Sequence, residues 1–184
     1  PSSLKNLLFL VCCIAIISNV DAQYKENTEL GLMGGVSYYL GDLNNTHFSN
    51  SSQAMGLVIR KNIDRRFSYK AEALRLNISS DERNSKDTIA KNRGLHFKSS
   101  ILELSGQLEF NFLPYEIGNP LYTWTPFIYT GISIFHHNPQ AENKNGEWVD
   151  LQPLGTEGQE TTIYDRDKYA LIQFAIPMGG GLKI

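Results

Sequence analysis

The chain has 184 residues, 41% of them hydrophobic and 20% charged, with a formal net charge of -2. It is long enough for one domain, has no basic excess of the kind that neutralises nucleic-acid phosphates, and has no apolar stretch long enough for helical membrane spans. A mean hydropathy of -0.28 does not separate a soluble domain from a membrane β-barrel, because the lipid-facing and lumen-facing residues of a barrel strand cancel in the average.

Residues 1–22 read as a signal peptide. Lys5 supplies a positive start, Leu7 to Ile17 is an apolar run, and Val20-Asp21-Ala22 is a small-x-small cleavage pattern that leaves Gln23 at the mature N-terminus. Cys12 and Cys13 are the only cysteines and both lie in this run, so the mature chain is expected to form no disulfide. A lipoprotein is disfavoured, because Cys12 stands where a small residue should precede Cys13. Residues 23–184 are then one domain. The chain starts at Pro1 and stops within an apolar alternation at Gly181-Leu182-Lys183-Ile184, so a C-terminal part is expected to be missing.

Six segments carry strand signals. In Glu29 to Gly41, Leu30, Leu32, Val36, Tyr38 and Leu40 alternate with Glu29, Gly31, Gly35, Ser37 and Tyr39. Ala54 to Lys61 sets Met55, Leu57 and Ile59 against Gly56, Val58 and Arg60. Phe67 to Ile78 begins with Phe67, Tyr69, Ala71 and Ala73 against Ser68, Lys70 and Glu72, then slips near Leu74, where a bulge is expected. The clearest alternation runs from Ser99 to Leu113. Leu102, Leu104, Leu108, Phe110 and Phe112 share one face, and Glu103, Ser105, Gln107, Glu109 and Asn111 the other. Pro126 to His137 and Tyr169 to Leu182 complete the set.

A soluble sandwich would hide the apolar face, and a small outer-membrane barrel would show it to lipid. The connections favour the barrel. Asp42–Gln53, Ser79–Gly94 and Asn138–Lys168 are long and polar, whereas Asn62–Arg66 and Leu113–Thr125 are shorter, as in an up-and-down barrel with short periplasmic turns. The strands are also longer than the globular mean of about 5–6 residues, and aromatics cluster near their ends. The expected fold is therefore all-β, an up-and-down antiparallel transmembrane β-barrel of the bacterial outer membrane, with eight strands when complete and six in this chain. Arg60, Lys70, Glu72, Glu103 and Glu109 are expected inside it as a paired, salt-bridged plug.

Catalytic and metal chemistry have weak support. His136 and His137 are adjacent and point to opposite faces of a strand, while His47 and His96 are isolated. Ser133 and His137 share a face but stand four residues apart, and His96 and Ser99 point oppositely. No catalytic, metal or cofactor residue is assigned, and no cofactor is expected. The Gly34-Gly35 and Gly179-Gly180-Gly181 runs lack the strand–loop–helix context of nucleotide sites and fit strand curvature or close backbone approach.

Four segments carry a family resemblance. Glu29 to Asn44 (ELGLMGGVSYYLGDLN), Phe97 to Phe112 (FKSSILELSGQLEFNF), Thr125 to Pro139 (TPFIYTGISIFHHNP) and Trp148 to Gln159 (WVDLQPLGTEGQ) resemble, in order, the PorG-like outer-membrane barrels of Bacteroidota. The resemblance implies a non-enzymatic subunit of the type IX secretion system, set among outer-membrane lipids, that anchors or assembles a periplasmic ring of partner proteins. The alternatives are a general small outer-membrane barrel and an outer-membrane lipid-modifying hydrolase. A periplasmic partner could be reached through the shorter turns, and Tyr115, Ile117 and Tyr122 in the Pro-containing turn after the fourth strand are the expected contact residues.

Overall fold

The computed structural model describes residues 26–84, 87–156 and 167–184. The expected signal peptide with its two cysteines, and the segment 157–166 of the longest connection, lie outside the described residues. The strands are β1 (Asn27–Ser37), β2 (Ser52–Asn62), β3 (Phe67–Asp81), β4 (His96–Asn111), β5 (Thr125–Glu142), β6 (Trp148–Asp150), β7 (Ile172–Ala175) and β8 (Met178–Lys183). They form one antiparallel, up-and-down sheet of eight strands, β1 to β5 each pairing with the next in sequence. β6, β7 and β8 all pair with β5, at successive levels along its length. The sheet is not closed, since β1 is paired on one side only.

The sixth expected strand is therefore a stave in pieces. Ile176 and Pro177 separate β7 from β8, and a proline has no N–H to give the ladder, although its carbonyl still accepts from the Gly131 N–H at 3.1 Å. The connection expected from Asn138 onward instead begins as strand, and it turns back through β6. The bulge expected near Leu74 is absent. The β3–β4 register runs unbroken from Phe67↔Phe110 to Asp81↔His96.

Local chemistry explains the turns. Between β2 and β3 the Asp64 carboxylate accepts from the backbone N–H of Arg66 at 2.6 Å and of Phe67 at 2.8 Å, which closes a tight turn. The β3–β4 connection is interrupted by a 3-10 turn (Glu82–Asn84) and a short α-helix, α1 (Thr88–Arg93). Asp87 caps its start by accepting from the Ile89 N–H at 2.9 Å, and Gly94 ends it in the left-handed region at φ 62°. None of the helices among the described residues is long and apolar enough to cross a membrane.

Burial is inverted relative to a soluble domain. Among the described residues no hydrophobic side chain is buried, while Ser68, Lys70, Glu72, Gln107, Glu109 and Asn111 all are. Leu32, Ile132 and Phe174 are 86%, 74% and 81% exposed. Arg60 of β2 reaches Glu109 of β4 past the intervening strand, and Lys183 of β8 reaches it past β5. The sheet therefore curls, with the polar face on the concave side.

What looked like a slip at Leu74 is a change in polarity on an unbroken register. From Phe67 to Ala73 the outward side chains of β3 are apolar and the inward ones polar. From Leu74 onward Leu74, Leu76 and Ile78 point inward, and Arg75 and Asn77 outward. β4 and β5 change over at the same end, where Ile101, Phe97 and Phe135 turn inward and Ser100, Asn138 and Gln140 outward. The molecule thus has two storeys, one polar inside and apolar outside, the other with half-buried apolar side chains inside among the buried Ser80 and Ser99 and with polar ones outside.

Candidate functional site

Glu109 is the centre of the concave face. It is fully buried and it gathers three cations from three strands. Arg60 from β2 approaches with both arms of its guanidinium, Nε at 2.8 Å and Nη2 at 3.2 Å. Lys70 from β3 lies 3.4 Å away and Lys183 from β8 2.7 Å. The outer partners are equally engaged. Arg60 Nη1 donates to Glu29 at 3.0 Å, and Lys70 pairs with Glu72 at 2.8 Å. Three carboxylates and three cations therefore balance, as buried charges require if they are not to cost several kcal/mol each.

Neutral groups add hydrogen bonds around the charges, although Gln107 Oε1 and Asn111 Oδ1 are buried without a partner. Gln107 donates to Glu72 at 2.7 Å and to the Ser105 hydroxyl at 2.8 Å, while the Asn62 amide donates to Asn27 and Glu29 and accepts from Ser68. Lys70 Nζ also sits 4.3 Å from the Tyr129 ring centre, and Lys183 Nζ 5.0 Å from that of Phe127, both within cation–π range. Those two rings lie over Gly179 and Gly181, where a Cβ would fall within 2.9 Å of ring atoms.

Of the five charges expected inside, Arg60, Lys70, Glu72 and Glu109 meet in this cluster. Glu103 shares their face but joins no ion pair among the described residues. Lys183 was missed by sequence reasoning. The available signal was its parity with Gly179 and Gly181, all opposite inward residues of β5.

The rim formed by the two shorter turns is tied together as one unit. Arg65 donates to Glu116 at 2.9 Å and stacks over the Tyr122 ring at 4.6 Å, while its carbonyl accepts from the Tyr115 N–H at 3.0 Å. Tyr115 points to the concave side. Its hydroxyl lies 3.5 Å from the Ile184 carbonyl and its ring 5.9 Å from Lys183. Burial, with Glu29 nearby, holds its phenol above the ordinary range. Tyr115 and Tyr122 therefore stiffen the turn from within, and of the three expected contact residues only Ile117 presents an exposed side chain, alongside the still more exposed Leu121.

The opposite rim carries the long connections. The 38–51 loop folds over the end of the sheet, its Leu43 carbonyl accepting from Ser80 at 2.8 Å and its Tyr39 ring meeting Phe97 edge-on at 5.0 Å. A cleft of about 640 Å³ lies between this loop and α1, with Asp42, Asn44, Asp87 and Arg93 in its wall. Glu82 beneath it accepts from Arg93 and from the Leu95 N–H, and the Arg93 guanidinium holds its carboxyl below the usual carboxylate range.

The hydroxyl and imidazole groups considered for catalysis do not converge. Ser133 and His137 both face inward, His137 stacked on Tyr169 with the Phe135 ring tilted against it, while His136 faces outward. His96 accepts from the Glu142 N–H at 3.2 Å and meets Trp148 edge-on. Among the described residues no group of His, Cys, Asp and Glu has the geometry to hold a metal ion.

An antiparallel sheet with a charged, paired concave face and an apolar convex face defines a β protein turned inside out. A family model described as a domain of unknown function, DUF6089, matches residues 5–153, and the chain belongs to that family. No curated protein and no solved structure matches it.

Two outcomes follow from this geometry. Glu109→Gln keeps the shape but leaves Lys183 without a counter-charge and Arg60 and Lys70 with one carboxylate each, and it should cost about 3–5 kcal/mol in urea unfolding, part of which Glu109→Gln combined with Lys183→Met should recover. At the other rim, the Glu82 carboxyl titrates lower folded than unfolded. Its contribution is complete above the ordinary carboxylate value and is lost as pH falls through the folded one. The hydrogen-exchange protection factor of the Leu95 amide should accordingly decline in acid, and Glu82→Gln should remove that dependence.

Proposed function

We propose that this protein is a small β-barrel of the bacterial outer membrane, with its convex face in lipid, and that it acts as a non-enzymatic subunit of the type IX secretion machinery. The inverted burial is the observation that carries the membrane reading. In water the convex leucines, isoleucines and phenylalanines would form one apolar patch far beyond the few hundred Å² that soluble monomers tolerate. From Leu102 to Phe112 an antiparallel strand rises about 34 Å, and at a tilt of about 40° this spans about 26 Å, close to the apolar band of such barrels. Eight strands, two beyond the six staves of this sheet, would pair both open edges and leave an interior filled by side chains.

The secretion role is supported by the resemblance of the four segments, and a contact with a periplasmic partner would form at the shorter turns. With the shorter turns on the periplasmic side, the braced loop 112–124 offers Ile117 and Leu121, 52% and 81% exposed, to a ring protein. Arg65, Glu116 and Tyr122 already hold that loop, so docking would lose little conformational entropy.

Leu108→Arg should lower the stability of the protein in bilayers by about 2–4 kcal/mol, the cost of a cation at midplane depth, while leaving its solubility in detergent unchanged. Ile117→Ser with Leu121→Ser should leave insertion and heat-modifiable mobility as they are and reduce co-purification of ring proteins from cells. Undiminished co-purification would contradict the assigned contact. Loss of acyl chains from membrane lipids on overproduction, read by mass spectrometry, would replace the scaffold role with lipid hydrolysis.

A further inference from the structure

The apolar band ends, at the rim of long connections, in basic side chains that the ion-pair network does not use. Along β3 the outward series Phe67, Tyr69, Ala71, Ala73 is followed by Arg75, and along β5 the series Ile128, Thr130, Ile132, Ile134 is followed by His136. The register sets Arg75 opposite Leu102 and Leu102 opposite His136. The two basic residues thus flank one leucine, about 10 Å apart across two strand spacings. Lys98 stands two outward positions beyond Leu102, its Nζ held 3.8 Å from the Trp148 ring centre.

Arg75 differs from the other arginines of the sheet and its rims. Arg60, Arg65, Arg83 and Arg93 each hold a carboxylate, and Arg66 donates to the Phe112 carbonyl at 2.8 Å. Arg75 is exposed and makes no ion pair among the described residues. The carboxylates of the neighbouring β5–β6 hairpin are all engaged, Asp150 by the Asn138 and Gln140 amides at 2.9 and 2.7 Å, Glu142 by Arg83 at 2.9 Å and Glu147 by the Asn143 amide at 3.1 Å. An uncommitted guanidinium where an apolar surface meets a polar one suits a ligand with a phosphate head and an acyl tail, since the fork matches phosphate oxygens. His136 has an N–H to donate in either protonation state.

We propose that Arg75 and His136, with Leu102 between them and Lys98 above, form a docking site for the phosphorylated headgroup of a membrane lipid whose acyl chains lie along the apolar band. The site rests on the membrane reading given above. Charge complementarity and continuity with the band select this occupant. Near an anionic surface each basic residue contributes about 1 kcal/mol, which is about fivefold in affinity.

The test places the full chain in phosphatidylcholine nanodiscs with or without diphosphoryl lipid A and counts bound lipid A by native mass spectrometry. Insertion is read separately from protease protection. Arg75→Gln should reduce bound lipid A about fivefold, and Arg75→Gln with His136→Gln should reduce it further. Arg75→Lys should retain most of it, Lys61→Gln at the opposite rim should change nothing, and free inorganic phosphate should not compete. Equal retention by the double variant in discs where it inserts would overturn this site and leave the membrane reading standing. Competition by free phosphate would make it an anion site rather than a lipid site and overturn it as well. Failure of the unaltered protein to insert would overturn both.

Discussion

The Glu109 carboxylate is the constraint on which the rest of the structure depends. It is fully enclosed, and Arg60, Lys70 and Lys183 reach it from strands on both sides of its own. Without it the register would be unfavourable, because Arg60 stands directly opposite Lys70 and like charges in that relation repel. Glu109 lies beyond both and turns a repulsive pair into a shared one. The same contact sets the curl, since a carboxylate can collect cations from β2 and β8 only if the sheet bends toward it.

Such a knot specifies a structure better than it stabilises one. A paired buried charge set often does no more than break even against a packed apolar core, and among the described residues no apolar core exists. The convex band gathers exposed apolar side chains from strand after strand, Leu32, Leu57, Leu104, Ile132 and Phe174 among them, and its cover would have to supply the driving force. In a bilayer that cover would be the solvent itself, and Arg75 at its edge, which makes no ion pair among the described residues, would meet the headgroups.

Much of this was legible in the sequence. Period-two alternation from Leu102 to Phe112 located the two faces of β4, because a strand offers no other reading of it. The charges on β2 and β3 followed by parity. Leu74 shows where such reading stops. A bulge and a change in polarity produce the same slip in a hydrophobic pattern, and only the partner strand's register separates them. Lys183 was hard to place for another reason, since β8 is short and three of its six residues are glycines, which leaves few side chains from which to infer a face. The loop 112–124 reads as an aromatic contact surface, but its two tyrosines are used internally, one against Lys183 and one against Arg65.

The most direct test of the account is which face of β4 meets acyl chains. A single fluorophore placed in turn at each position from Leu102 to Phe110, in vesicles containing lipids brominated on their acyl chains, reads this residue by residue. With the convex face in lipid, quenching should be strong at 102, 104, 106, 108 and 110 and weak at the positions between. Even positions shielded from brominated chains, with odd positions open to aqueous iodide, would contradict it and return the protein to the soluble β class.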